Sequence, residues 1–197
     1  NHDLIGLRRL GFERCTKMAE YALRRTRRAL GREASAFLQQ LPNQLRIESH
    51  VLLVHGGVRD LQQYMVTPAQ VGENAKFLLE DHPGARVCFF GHRHEQRVYE
   101  VKGEAVRELP TRGEVALDKD QVYFINPGSV DASRKNRHKL AEYAVFDSSF
   151  GTVEFLCVRY DAAATEAKAA AFGYRISPLA DRLYTLKRRS ASLLRGR

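Results

Sequence analysis

The chain has 197 residues, a formal net charge of +9 and a hydrophobic share of 44%, which suits one globular domain with its own core. No segment approaches the roughly 18 uninterrupted apolar residues of a membrane helix, and the first residues lack the basic and apolar regions of a secretory signal. Cys15, Cys88 and Cys157 are far apart and set among apolar residues, which is typical of reduced packing residues. A cytoplasmic protein without a membrane partner is therefore expected.

The positive charge is concentrated in residues 24–28 and in the tail, residues 187–197. Runs of charge on helices are most often solvated faces. No aromatic residues interleave with the arginines as they do on base-stacking surfaces. Nucleic acid is thus a possible partner, but it is not the favoured one.

The predicted elements begin with helix. Apolar and small residues recur between arginines over residues 13–41, which predicts one or two amphipathic helices. Residues 45–47 and 51–54 predict a hairpin or two successive strands, the second fully buried. Thr67 and Pro68 form a helix start, with a capping side chain before a proline, and that helix should end near residue 80. Residues 86–90 predict the next buried strand.

The second half of the chain reads mainly as strand. Alternating segments at 97–101 and 104–109 flank a turn, a short strand at 122–125 leads into Asn-Pro-Gly-Ser, and 140–146 with 152–160 predict a hairpin. Residues 162–171 and 178–188 predict helices. Parallel-type strands with helices, followed by antiparallel hairpins, predict a single domain over residues 1–197. Its fold class is α/β (α+β-like), a β-sandwich of mixed sheets flanked by helices.

Three histidines follow buried strands of this predicted sheet. His55 comes after the apolar run at 51–54, and His92 and His94 come after the run at 87–90. Ligands of α/β sheets bind at the carboxyl ends of the strands, and neutral imidazole is the commonest metal ligand. A single histidine at a strand end is more often a satisfied polar residue, but three together indicate metal. Two ions roughly 3.5–4 Å apart activate water and neutralise phosphate oxygens, so the pattern indicates most of a two-metal phosphoesterase site.

Four short motifs extend this interpretation. Asn1-His2-Asp3, Val54-His55-Gly56, Gly91-His92-Arg93-His94 and Asn126-Pro127-Gly128-Ser129 resemble, in order and spacing, the later motifs of the calcineurin-like metallophosphoesterases. The resemblance is to the small bacterial phosphodiesterase and diadenosine-tetraphosphatase-like branch, and it covers nearly the whole chain. It implies the metallophosphoesterase fold and hydrolysis of a phosphodiester or phosphomonoester by a metal-bound hydroxide. The implied substrate is a small phosphorylated molecule, nucleotide-type or a small diester.

The resemblance also implies site residues. The side chains that would bind metal are Asn1, His55 and His92 for one ion and His94 for the other. His2 would lie beside the scissile phosphate and protonate the leaving oxygen, with Asp3 orienting its ring. The implied cofactors are two divalent ions, with Mn²⁺ favoured over Fe, Zn, Ni or Co. The turn at 126–129 would support the site structurally.

Two departures from the family pattern matter. The upstream aspartate-x-histidine and glycine-aspartate motifs, which supply the bridging carboxylate, do not occur in this sequence. We expect them, with their N-terminal strands, on a longer polypeptide; the alternative is a shortened, impaired protein. Arg93 replaces the usual threonine or serine, and it could bind substrate phosphate or point to solvent. Arg134, in a segment that lacks the usual proline-arginine, is a second candidate for binding an anionic substrate.

Three functions follow as hypotheses. The first is a metal-dependent phosphoesterase, because the histidines cluster at strand ends. The second is a catalytically impaired scaffold or regulatory protein, because the aspartate motifs are absent. The third is a nuclease, because the charge is positive and nucleases share two-metal chemistry.

Overall fold

The computed structural model describes residues 1–130 and 140–174. Its contacts divide the chain into two compact units. The first contains Asn1 and residues 40–162, and the second contains residues 2–39 and the segment after residue 162. The prediction of a single domain over residues 1–197 stays a prediction.

The first unit contains strands and one helix, which lies between the second and third strands. In chain order its described elements are β1 (Gln44–Ile47), β2 (Val51–Val54), α4 (Pro68–Asp81), β3 (Val87–Phe89), β4 (Gln96–Lys102), β5 (Ala105–Leu109), β6 (Gly113–Ala116), β7 (Val122–Pro127), β8 (Leu140–Asp147) and β9 (Thr152–Arg159). The helices of the second unit, α1 (His2–Gly6), α2 (Lys17–Ala29) and α3 (Arg32–Gln40), precede them, and α5 (Ala162–Ala171) follows.

The larger sheet has six strands in the order β1-β2-β3-β7-β4-β5. Its central strands β2, β3 and β7 are parallel, with Leu52 paired to Cys88 and Cys88 paired to Phe124. The flanking pairs, β1 with β2, β7 with β4 and β4 with β5, are antiparallel. Since parallel strands end at the same edge of a sheet, the segments after β2, β3 and β7 meet there.

The smaller sheet has the order β6-β9-β8 and is antiparallel throughout. The hairpin of β8 and β9 confirms the prediction for residues 140–160. The sequence did not predict β6, which is short and mostly exposed. It exists because Val115 pairs with Val153 across the sheet, a contact between distant residues.

Two apolar layers hold the first unit together. One packs α4 on the larger sheet, with Leu78 against residues such as Cys88 and Phe124. The other lies between the two sheets and joins Tyr123 and Ile125 to Val153. Neighbouring residues of β7 thus face opposite layers, as the two-residue period of a strand requires. This arrangement confirms the predicted sandwich of mixed sheets flanked by a helix.

Local expectations about burial are corrected in two places. Strand β2 is not buried throughout, because Val51 and Leu52 are buried whereas the two following residues are only half-buried. Cys157 is exposed on β9 and is not a packing residue, while Cys88 is buried. Burial raises the pKa of the Cys88 thiol, which keeps it protonated.

The second unit confirms the predicted amphipathic helices. The helical region at 13–41 forms α2 and α3, and α2 buries Leu23. Arg27 of α2 donates to the carbonyl oxygens of Ile5 and Leu10, which holds the short helix α1 and the turn after it. Among the described helices, none is long and apolar enough to cross a membrane. The predicted helix at 178–188 lies outside the described residues.

Helix α4 begins at Pro68 with Thr67 as its cap, as the sequence predicted, and the structure adds Gln70 to complete a capping box. The Thr67 hydroxyl accepts a hydrogen bond from the Gln70 backbone at 3.3 Å, and the Gln70 carboxamide oxygen accepts one from the Thr67 backbone at 3.1 Å. We expect Thr67→Ala to lower the free energy of unfolding by about 1 kcal/mol, because it leaves a helix N–H without its acceptor. Urea unfolding measures this, and Thr67→Ser should retain the wild-type value. Equal stability of the alanine variant would show that the cap contributes nothing.

Candidate metal centre

The ends of the three parallel strands are joined by backbone hydrogen bonds. The Gly91 amide donates to the His55 carbonyl oxygen at 2.9 Å, and the Phe90 amide donates to the Ile125 carbonyl oxygen at 2.9 Å. The chain leaving β3 is therefore held between the ends of β2 and β7. This brings the residues after β2 and after β3 side by side at the carboxyl edge of the sheet.

At this edge His55 and His92 form a pair. The Nε2 atom of His55 lies 3.1 Å from the Nδ1 atom of His92. The ring centroids are 4.9 Å apart at an interplanar angle of 62°. Since a metal–imidazole bond is about 2.0–2.1 Å long, two nitrogens at this separation could share one ion with an angle of about 100° between the bonds. The pair thus has a spacing that fits two ligands of a single metal.

The backbone around His92 is unusual. His92 and His94 both have a φ of 62°, in the left-handed region that residues other than glycine rarely adopt. Two such residues flanking Arg93 turn the chain sharply after β3. Unfavourable backbone of this kind persists where the surrounding structure holds it, and it is concentrated at functional sites. The tripeptide is therefore marked as a site by its conformation as well as by its residue types.

His94 contacts a different part of the site. Its Nδ1 atom lies 3.1 Å from the Ser129 hydroxyl oxygen, in the Asn-Pro-Gly-Ser turn after β7. Within residues 1–130 and 140–174, no three His, Cys, Asp or Glu side chains form a group that could hold a metal ion. The structure thus brings His55 and His92 together as one donor pair and places His94 against Ser129. The assignment of His94 to a second ion stays a prediction.

The Asn126 side chain holds the backbone next to the histidine pair. It is 0% exposed, its Nδ2 atom donates to the Gly91 carbonyl oxygen at 3.0 Å, and its Oδ1 atom accepts from the Gly128 amide at 3.0 Å. The side chain therefore joins the end of β7 to the residue directly before His92. This geometry agrees with the structural role expected for the 126–129 turn.

A second buried amide, Asn74 of α4, was not recognised in the sequence. Its Oδ1 atom accepts from the Val58 amide at 2.7 Å, and its Nδ2 atom donates to the Gln63 side chain at 2.9 Å. These bonds hold the loop that follows His55. The available signal was a polar residue on the buried stripe of α4, between Val71 and Leu78.

Tyr64 is a second site residue that the sequence did not predict. Its ring lies on the ring of His92, with centroids 3.8 Å apart and planes tilted by 32°. Tyr64 belongs to a loop without apolar periodicity, so no pattern in the sequence relates it to a histidine 28 positions later. Only the fold brings the two rings together.

Arg93 does not point to solvent, which corrects one of its two sequence interpretations. Its side chain is 17% exposed, its Nε atom donates to Glu95 at 3.0 Å, and its Nη1 atom donates to the Val66 carbonyl oxygen at 3.1 Å. Burial opposes ionisation of Glu95, but hydrogen bonds from Arg97 and Arg93 outweigh it, so the pKa of that carboxyl lies below its ordinary value. Binding of substrate by Arg93 stays a prediction.

The remaining predicted site residues lie at the start of the chain or beyond the described part. Asn1 belongs to the unit that carries His55 and His92. His2 and Asp3 belong to the other unit, where they begin α1. Their catalytic roles stay predictions. Arg134 lies outside the described residues.

Comparisons with known proteins identify the family and the fold. Residues 1–150 match the model of the calcineurin-like phosphoesterase superfamily domain. The uncharacterized protein MJ0912 of Methanocaldococcus jannaschii is 29% identical over 168 residues, which cover 82% of this chain and 63% of that protein. The chain thus spans less than two thirds of the length of that relative.

Two crystal structures share the fold. A metallophosphoesterase from Sphaerobacter thermophilus superposes with a TM-score of 0.66 at 27% identity, covering 88% of this chain and 69% of that one. The hypothetical protein PH1004 from Pyrococcus horikoshii superposes with a TM-score of 0.61 at 15% identity, covering 88% and 66%, which supports the fold alone. From the match over residues 1–150 and the histidines at its strand ends, we conclude that the chain belongs to the calcineurin-like phosphoesterase superfamily.

Proposed function

We propose that this protein is a metal-dependent phosphoesterase acting on a small phosphorylated substrate, either nucleotide-type or a small diester. The observation that carries the proposal is the His55–His92 pair, whose nitrogens lie 3.1 Å apart at the carboxyl edge of the sheet. Membership of the superfamily supports phosphoester hydrolysis as the class of reaction.

The proposed ligands are Asn1, His55 and His92 for one divalent ion and His94 for the other. Imidazole nitrogens suit Fe, Zn or Ni and the Asn1 amide oxygen suits Mn²⁺, which stays the favoured ion because of the family resemblance. Bound divalent ions supply Lewis acidity that neutralises phosphate oxygens and activates water. Ser129, next to the His94 ring, would fix the orientation of that ligand, as outer partners of metal-bound histidines do.

The proposed roles of the other residues concern proton transfer and substrate binding. His2 would protonate the leaving oxygen of the phosphoester, and Asp3 would orient the His2 ring. Arg93 and Arg134 would supply positive charge to the phosphate. Each of these roles depends on side-chain chemistry that suits an anionic substrate.

The arginines of α2 do not favour the nuclease hypothesis. Arg24 donates to Glu20 at 2.8 Å, Arg25 lies over the Tyr21 ring, and Arg27 donates to backbone carbonyls. These guanidinium groups therefore have partners within the chain. The positive charge of this helix is explained by its own packing, and nucleic acid is not needed to explain it.

The histidine pair is tested by His92→Ala. We expect the variant to lose bound Mn²⁺ and to hydrolyse bis(p-nitrophenyl) phosphate more than about 100-fold more slowly, since loss of an outer support alone costs 10–100-fold. Elemental mass spectrometry and a chromogenic assay measure the two effects. His50→Ala is the matched control, because His50 lies in the turn between β1 and β2 and not at the candidate metal centre. Its Nδ1 atom is 3.5 Å from the Glu48 Oε2 atom. Unchanged metal content and rate in His92→Ala would refute the proposal.

The number of bound ions separates the enzyme from the scaffold hypothesis. In the complete protein, with the bridging carboxylate supplied, we expect two Mn²⁺ per chain after loading and removal of excess metal, and loss of hydrolysis after chelation, because both ions act on the phosphate. One ion or none, with no turnover of any phosphate ester, would favour the impaired scaffold.

The support under the pair is tested by Asn126→Ala. Removing this amide leaves the half-buried Gly91 carbonyl and Gly128 amide without their partner, so the free energy of unfolding should fall by about 1 kcal/mol. Mn²⁺ binding should also weaken roughly 10–100-fold. Urea unfolding and isothermal titration calorimetry measure these effects. Asn43→Ala, at an exposed position, should change neither; equal behaviour of the two variants would show that Asn126 does not support the site.

A further inference from the structure

The loop between β2 and α4, residues 55–67, is held along its length by hydrogen bonds and packing. Met65 is 1% exposed, and the Gln63 side chain accepts a hydrogen bond from Asn74. At Gly56 the loop folds closely on itself, since a Cβ there would lie 2.5 Å from the Leu61 carbonyl oxygen. Tyr64 lies between two fixed neighbours, so its backbone position is set by the rest of the loop.

The Tyr64 side chain faces the candidate metal centre. Its ring stacks on His92 at 3.8 Å, while the His55 ring meets His92 edge-on at 4.9 Å. The imidazole of His92 is thus bounded by an aromatic ring and by the second donor. Rotation of that imidazole about its Cβ–Cγ bond would break the stack and move Nδ1 away from the His55 nitrogen. The stack therefore favours the orientation that fits metal.

Arg93 joins this loop to the histidine segment. It follows His92 directly, and its Nη1 atom donates to the carbonyl oxygen of Val66, two residues after Tyr64. Its Nε atom donates to Glu95, which fixes the guanidinium from the other side. The arginine between the two candidate ligands consequently holds the loop that carries the stacked tyrosine.

We infer that Tyr64 is a positioning residue that orients the His92 ring for metal binding, and that Arg93 holds Tyr64 in place through the Val66 carbonyl. The orientation of the ring belongs to the metal-free chain; its consequence for metal rests on the proposed function. The stacked face of the ring carries this role and the phenol hydroxyl does not, so phenylalanine should replace Tyr64.

The ring position is measured first, on the metal-free chain, by proton NMR of the His92 imidazole. A stacked aromatic ring shifts these protons upfield. We expect the upfield shift, which shows the stack, in the wild type and in Tyr64→Phe. The orientation of the ring is shown by the nuclear Overhauser contact between the His55 and His92 ring protons, which we expect in both of these proteins and weakened in Tyr64→Ala. Tyr143→Ala is the matched control, because Tyr143 is 44% exposed on β8 and Tyr64 is 41% exposed. An unchanged His92 spectrum in Tyr64→Ala would overturn the inference.

The consequence for metal is measured by calorimetric titration with Mn²⁺ and by the visible absorption of bound Co²⁺, which reports coordination geometry. We expect Tyr64→Ala and Arg93→Met to bind Mn²⁺ roughly 10–100-fold more weakly and to change the Co²⁺ spectrum, as loss of outer partners does at metal sites. Tyr64→Phe and Tyr143→Ala should match the wild type. Because Tyr64 is half-exposed, its truncation should leave the fold intact, and circular dichroism checks this.

The outcomes distinguish this inference from the proposed function. Wild-type chain that binds no Mn²⁺, together with a weakened nuclear Overhauser contact between the His55 and His92 rings in Tyr64→Ala, would support the positioning and reject the metal-dependent enzyme. Mn²⁺ binding that is equal in the wild type and Tyr64→Ala would reject the positioning and leave the enzyme standing. Weakened binding in Tyr64→Phe would also overturn the inference, because it would show that the hydroxyl acts.

Discussion

The candidate site depends on hydrogen bonds that close the parallel sheet around Gly91. Its amide donates to the His55 carbonyl, its carbonyl accepts from Asn126, and the preceding Phe90 amide donates to Ile125. One short segment is thereby joined to the ends of both neighbouring strands. Because the backbone is held on both sides at residue 91, the backbone positions of His55 and His92 follow from the register of the sheet.

Apolar packing makes this edge rigid, and two buried amide side chains hold the loops that follow it. Helix α4 covers one face of the larger sheet, and the smaller sheet covers the other. Where these layers end, Asn126 and Asn74 satisfy backbone groups of the loops that carry the site. An unsatisfied buried polar group costs about 1–3 kcal/mol, so each amide holds its loop in one arrangement. The core thus sets the distances of the site, and the amides set its loop conformations.

Strained backbone and a network of charges lie directly on this rigid edge. His92 and His94 occupy the left-handed region, and Arg93 between them has a carboxylate and a backbone carbonyl as partners. An arginine held in this way orders its own neighbours, which distinguishes it from a solvated surface charge. These contacts hold the backbone of the candidate site in one conformation.

Local patterns in the sequence predicted much of this protein. The strands that precede His55 and His92, the Thr67 cap of α4 and the hairpin of β8 and β9 all depend on residues close together in the chain, so periodicity and turn chemistry reveal them. Superfamily membership was also visible in the four motifs. The tertiary structure alone decided that Tyr64 stacks on His92, that Asn74 holds the loop after β2 and that β6 is a strand, because these contacts join residues far apart in the chain whose proximity is set by sheet order and by packing of α4 on the sheet.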